Sequence, residues 1–294
     1  MIPKAIPQVL TNTTVRNGYQ PQAPDTNIDA DIYLFARLRQ LSLKQRVEMA
    51  ASHDRGIKKL CLAGIKSRNR DAPLEEIRLH FARAVLAEKF LPGFQPKGGD
   101  ETVWIQDSIT SAGKLHQILE SLNIPYYVSG GVASSIHGEP RSTRNLDFVI
   151  SNLSKTFWLL KTLEAAGYYC PAGAVENVQR GREGLLNITH TETIANADLY
   201  VTDTSTFAAS QMARRRLLDV EEMPAFWVIS PEDLLLQKIA WGRGSQSEKQ
   251  WRDVLGILKL QAENLDYEYL TQWADNLGLL DFLSQAFSEA GILS

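Results

Sequence analysis

The stretch Tyr127-Val-Ser-Gly-Gly-Val-Ala-Ser-Ser-Ile-His-Gly-Glu-Pro-Arg-Ser-Thr-Arg-Asn-Leu-Asp-Phe-Val-Ile150 decides how the chain is read. Tyr126-Tyr127-Val128 is a short run of strand formers that ends at Ser129-Gly130-Gly131, and a helix restarts over Val132–His137. Glycines at such a corner let the backbone approach a bulky anion, and the N–H groups of the turn and of the helix start point toward it. A Gly-Gly pair alone is also explained by a tight turn that holds nothing. Asn145 and Asp147 narrow the reading. They stand two apart before Phe148-Val149-Ile150, so in a strand their side chains share one face while Leu146, Phe148 and Ile150 turn toward a core. Two oxygen donors side by side suit Mg²⁺, which takes hard oxygen ligands and keeps substrate phosphates as further ones. The other reading of the pair is a polar strand face that meets water.

Working outward, Asp198 lies in Ala197-Asp198-Leu199-Tyr200-Val201, where apolar residues alternate with Asp198 and Tyr200. On a strand beside that of Asp147 it completes a set of three oxygen donors, Asn145, Asp147 and Asp198, next to the glycine corner. Such a set fits one- or two-metal phosphoryl transfer, with one carboxylate able to accept a proton from an attacking hydroxyl. Taken alone, Asp198 is equally an exposed charge on a strand face.

The flanking sequence supplies the architecture. Residues 1–27, rich in Pro, Gln, Asn and Thr, read as a disordered tail. Residues 28–95 read as a helical N-terminal domain, with Ser42 and Gln45 forming a capping box and Pro73 in the first turn of a later helix. Residues 101–229 are mixed: helices over 111–122 and 156–166, and strands over 126–128, 146–150, 185–189, 197–201 and 226–229. Ser230-Pro231-Glu232-Asp233 starts a helical C-terminal segment, 230–294, that is expected to complete a cleft. The fold class expected is α/β (α+β), a small mixed sheet flanked by helices.

These features resemble the nucleotidyltransferase superfamily, whose motif runs from an apolar-Gly-Gly/Ser corner across roughly ten residues to Asp-x-Asp, with a third acid on a later strand. Here the corner is Val128-Ser129-Gly130-Gly131, thirteen positions intervene, and Asn145-Leu146-Asp147 follows, with Asp198 later. Arg141 and Thr143 match a stretch that precedes the acidic pair in minimal members. The resemblance spans about residues 103–260. Glu232-Asp233-Leu-Leu-Leu-Gln-Lys238-Ile-Ala-Trp-Gly-Arg243, followed by Arg252-Asp253, is similar to the last motif of the AbiEii-type branch. The resemblance implies Mg²⁺-dependent transfer of a nucleotidyl group from a nucleoside triphosphate to an acceptor, which is RNA, a protein side chain or a small molecule. For the AbiEii branch it implies a toxin-like protein with an antitoxin partner. It makes Asn145, Asp147 and Asp198 the catalytic and metal-binding residues, and Ser129, Gly130, Gly131, Arg141, Thr143 and Lys238 the nucleotide-binding ones. Asn145 departs from the pattern, which has Asp there. An uncharged amide oxygen binds a hard cation less strongly, so the alternative is a module that binds nucleotide with weakened or lost catalysis, or a site that recruits Glu139 or Asp203.

Other residues leave choices open. Lys238 stands in the apolar run Leu234–Ile239 and needs an anion, either a phosphate or a protein carboxylate such as Asp253 or Glu232. Helical geometry sets Asp233 and Lys238 about 140° apart. His137 suits a helix C-terminus, and Glu139 a turn. Arg214-Arg215-Arg216, at the end of an expected helix, reads as a solvated face or a contact for a polyanion. The basic run from Arg55 to Arg70 offers the same two readings. The 31 basic and 34 acidic residues leave a net charge of −3, with no nucleic-acid-like excess overall. Two distant cysteines, Cys61 and Cys170, give neither a zinc spacing nor a disulfide framework. No stretch is long and apolar enough for a signal peptide or a membrane span, so a soluble cytoplasmic protein with no membrane partner is expected.

Overall fold

The computed structural model describes residues 18–292 except 152–155, 172, 181–183 and 246. Residues 1–17 of the expected tail therefore lie outside the described residues. The strands are β1 (Tyr126–Ser129), β2 (Leu146–Ile150), β3 (Tyr168–Tyr169), β4 (Leu185–His190), β5 (Asn196–Val201), β6 (Arg216–Leu218) and β7 (Phe226–Val228). They form one mixed sheet in the order β3-β4-β5-β2-β1-β7-β6. The β2–β5 and β1–β7 pairs are parallel, and the other neighbours are antiparallel. This is the α/β class with a mixed sheet and flanking helices. Five of the strands coincide with those expected. β3 and β6 are additions, and β6 corrects the reading of the arginine cluster: the helix Thr206–Arg214 stops at the first arginine, and Arg216 opens a strand.

Register explains why this sheet has one dry face. Val128 lies opposite Phe148, Phe148 beside Leu199, and Leu199 opposite Leu186. All four are buried, and Tyr126 packs its ring on Phe148 at 5.3 Å. The helix Ser108–Ser121 lies on this face, where His116 Nδ1 is 2.6 Å from the Tyr126 hydroxyl. Truncating a side chain as enclosed as Phe148 to alanine costs about 3–5 kcal/mol. The period of two then sends the alternate residues, Ser129, Asp147, Asp198 and Asn187, to the opposite face.

The chain divides into two compact units. One contains the sheet and comprises Glu48–Val132 and Arg141–Val228. Its second core lies among the helices Leu43–Arg68 and Leu74–Leu86, where Leu62, Ile65, Phe81 and Leu86 surround Trp104 and Ile194. The Ser42–Gln45 capping box is present, with the Gln45 N–H donating to Ser42 Oγ and the Ser42 N–H donating to Gln45 Oε1.

The other unit draws on the segments up to Val47, Ala133–Pro140 and from Ile229 onward, so the N-terminal helices are shared between the two. Residues 18–27, read from composition as part of the tail, are tied down here. Tyr19 and Gln22 are buried, the Tyr19 hydroxyl donates to Asp31 at 2.6 Å, and the Gln20 N–H donates to the Glu289 carbonyl. Lys259 sets its ammonium on Asp31 at 2.7 Å, between the rings of Tyr19 and Phe35. The helix Pro231–Ser245 starts with Ser230 Oγ accepting from the Asp233 N–H, as its sequence suggests. No helix among the described residues is long and apolar enough to cross a membrane.

Candidate functional site

Asp147 and Asp198 face each other in register on the parallel strands β2 and β5. Adjacent strands are about 4.8 Å apart, and residues in register point the same way, so both carboxylates rise from one spot on the polar face. Ser129, the last residue of β1, is opposite Asp147 on the other side. A second observation agrees. Tyr200, two residues beyond Asp198 on the same face, has its hydroxyl pushed up to about 12, by burial first and then by the charges of Asp198 and Asp147. Two carboxylates about 5 Å apart repel by roughly 3 kcal/mol at an effective dielectric of 20, so the pair calls for a countercharge.

Asp198 is 1% exposed and well held. Asn187, its register partner on β4, donates through Nδ2 to Asp198 Oδ1 at 2.6 Å, and the Lys89 ammonium bonds Oδ2. Asn196 in turn exchanges side-chain hydrogen bonds with Asn187. Neither Lys89 nor Asn187 is among the residues singled out in the sequence. Asn187 carried a weak signal as a polar residue between Leu186 and Ile188 on a strand. Lys89 carried none, since its place depends on where the chain runs after the helix Leu74–Leu86.

The glycines of the corner are required by space. Gly130 has φ +60°, and a Cβ there would sit 1.8 Å from Asp147 Oδ2. A Cβ on Gly131 would meet Thr143 Oγ1 at 2.3 Å, with Arg141 Nη2 at 3.7 Å. The structure thus brings Ser129, Gly130, Gly131, Arg141, Thr143, Asp147 and Asp198 into one neighbourhood. The helix beginning at Gly130 adds the positive end of its dipole to it. Asn145 stands one residue before β2, half-buried, and its carbonyl accepts from Thr143 Oγ1 at 3.3 Å.

Lys238 belongs to the other unit, where its ammonium meets Asp253 at 2.8 Å with the two side chains only 3% and 4% exposed. The carboxylate partner offered by the sequence is thus present. Asp233 there accepts from Ser230 Oγ and from the Tyr269 hydroxyl, each at 2.6 Å. Glu139 pairs with Arg252, and Asp203 accepts from the Ser205 N–H. His137 donates to the Ile229 carbonyl at 2.8 Å. In the basic run, Arg55 pairs with Asp107 and Glu48, and Lys66 with Glu101.

Among the described residues, no group of three His, Cys, Asp or Glu side chains converges as a metal site. The donor set is the two carboxylates, with Asn145 two residues before Asp147 in the chain. Its chemistry fits one hard divalent cation: paired acidic oxygens in register, next to a corner where a side-chain carbon would displace one of them.

No protein-family model matches the chain, and no curated protein matches it. Among solved structures it is similar to the crystal structure of an antigenic nucleotidyltransferase-like protein from Paracoccidioides brasiliensis. The identity is 21% and the TM-score 0.40, over 61% of this chain and 92% of that one.

Proposed function

We propose that the chain binds a nucleoside triphosphate as its Mg²⁺ complex and transfers the nucleotidyl group to an acceptor hydroxyl. The observation that carries this reading is the registered pair Asp147–Asp198, standing on one sheet face against the Gly130 corner. Mg²⁺, held by Asp147 and Asp198 with the Asn145 amide oxygen, supplies neutralisation of phosphate charge. Gly130, Gly131 and the helix start that follows them receive the phosphates, and Arg141 and Thr143 flank that place. The acceptor oxygen forms its bond to the α-phosphorus as the bond to the β-phosphate bridging oxygen breaks, and pyrophosphate leaves. Asp147, the more exposed of the two acids, takes the hydroxyl proton. Lys238 has no part in this proposal.

The resemblance to the AbiEii-type branch extends the proposal to a toxin-like role on RNA or protein, with an antitoxin partner. Growth arrest on induction, abolished by Asp147→Asn, tests that extension. Asn145 favours a second reading, a module that binds nucleotide without transferring it. Labelled nucleoside triphosphates with Mg²⁺ and RNA or protein acceptors separate the two. Labelled product that disappears in Asp147→Ala supports transfer, whereas a nucleotide-dependent rise in melting temperature without product supports the module. If neither product nor a thermal shift appears, both readings fail.

A further inference from the structure

Among the described residues, the Lys89 side chain ends on Asp198 of the carboxylate pair, and the proposed transfer does not use it. The turn Ala87–Lys89 that carries it follows the helix Leu74–Leu86. The chain beyond is fastened to the sheet edge: the Tyr169 hydroxyl donates to the Pro92 carbonyl at 2.8 Å, and the Lys97 N–H donates to the Thr191 carbonyl at 2.8 Å. Lys89 is therefore delivered to Asp198 by anchored structure on both sides. Ala87 at the start of the turn has φ +48° and ψ −119°, a conformation an L residue with a Cβ seldom adopts. Such strain persists only where the surroundings enforce it, and it gathers at functional positions.

The two partners differ in freedom. The Asp198 side chain is 1% exposed and fixed by Asn187, while the Lys89 side chain is 23% exposed and reaches solvent. The carboxylate stays, and the ammonium can leave. With Lys89 in place the charge of Asp198 is offset, and one of the oxygens a divalent cation needs is occupied. A free divalent cation must evict a like charge to enter. A metal–triphosphate complex brings its own anionic oxygens, to which an ammonium displaced from Asp198 can transfer.

We infer that Lys89 is a counter-cation that closes the acid pair to free metal and becomes a triphosphate-binding residue when metal and nucleotide enter together. The inference rests on the proposed nucleotide site and assigns it a residue and an order of assembly. If Lys89 occupies Asp198 nine-tenths of the time, the apparent affinity for free metal is reduced about tenfold.

The test uses the full chain with two probes. One is Mn²⁺ alone, followed by the electron paramagnetic resonance signal of the unbound ion. The other is Mn²⁺ with a non-hydrolysable nucleoside triphosphate analogue, followed by calorimetry. Lys89→Met is expected to bind Mn²⁺ alone about tenfold more tightly than wild type and the Mn²⁺–analogue about tenfold more weakly. Lys89→Arg, which keeps the charge, stays closed to Mn²⁺ alone. Lys89→Gln, whose amide can still donate to Asp198, repeats the comparison should Lys89→Met fold poorly. Unchanged or weaker binding of Mn²⁺ alone in both neutral variants overturns the inference, as does undiminished binding of the Mn²⁺–analogue. If wild type binds the Mn²⁺–analogue in those cases, the nucleotide site survives without this role for Lys89. If wild type and variants bind neither probe, the proposed function itself fails.

Discussion

Gly130→Ala puts the geometry of the site to a direct test. The added methyl carbon would lie 1.8 Å from Asp147 Oδ2 and 2.6 Å from its Cγ. The nearer contact is about 1.6 Å inside ordinary van der Waals separation, so the carboxylate must swing away or the corner must move. The left-handed backbone at φ +60° adds about 1–2 kcal/mol for a residue with a Cβ. Forcing an extra methyl into an occupied site adds about 1–3 kcal/mol. The sum, roughly 2–5 kcal/mol, corresponds to a fall in melting temperature of roughly 3–8 °C. Because the displaced group is Asp147 itself, the rise in melting temperature given by Mn²⁺ with a nucleotide analogue should vanish. Gly113→Ala is the control. Its Cβ would meet the Pro224 Cβ at 2.2 Å, in the helix over the dry face, without a positive φ. It should lower stability by about 1–3 kcal/mol and leave the ligand response intact. A Gly130→Ala protein that melts within a degree of wild type and keeps its ligand response would refute the argument.

Other consequences follow from particular contacts. Asn145→Asp adds a third acid beside the pair and should tighten binding of Mn²⁺ alone by about tenfold; no change in a titration would mean that residue 145 does not face the cation. Lys238→Ala leaves Asp253 buried without its ammonium and should cost about 3–5 kcal/mol in urea unfolding, whereas Lys238→Met with Asp253→Leu should recover most of that loss and leave nucleotide affinity unchanged. Burial holds the Lys259 ammonium below its usual range, against the opposing pull of Asp31, Glu139 and Glu289. The folded state then binds fewer protons there than the unfolded chain at pH values between the lowered and the ordinary lysine value. Wild type should accordingly gain stability relative to Lys259→Met as pH rises toward the ordinary lysine value, and denaturation at several pH values shows whether that gap widens. Asn187→Ala removes the amide that fixes Asp198 and should weaken the Mn²⁺–analogue complex several-fold without unfolding the sheet, as circular dichroism can verify.

What could be read from the sequence was what local alternation encodes. Leu146, Phe148 and Ile150 against Asn145, Asp147 and Val149 announce a half-buried strand, and Ala197, Leu199 and Val201 around Asp198 announce another. The two then need only pair in register to bring their acids together, which they do. The Ser42–Gln45 and Ser230–Asp233 helix starts were legible for the same reason, since three-residue spacings carry their own hydrogen bonds. What depends on distant chain segments was not legible. β3 has two residues and no periodicity, and β6 starts inside an arginine run that reads as the tail of a helix. Asn187 acquires its role only through the β4–β5 register, 11 residues from Asp198, and Lys89 only through a path 109 residues away. Tyr19 and Gln22 look like tail by composition, yet a single buried carboxylate, Asp31, gives both a partner.

Asn145 and Lys89 belong to one electrostatic argument. With an aspartate at position 145 the cluster would hold three negative charges. The asparagine makes it two, and Lys89 offsets that of Asp198. Each step lowers the pull on a free divalent cation, and neither removes the oxygen atoms that such a cation needs. A site built this way discriminates by charge: a bare cation gains little by entering, whereas a cation already carrying a polyphosphate brings the anion that Lys89, Arg141 and the helix start at Gly130 can meet. The asparagine that weakens the case for autonomous metal binding thus agrees with the proposed joint entry of metal and nucleotide. An uncharged amide at position 145 and a cation at position 89 act in the same direction.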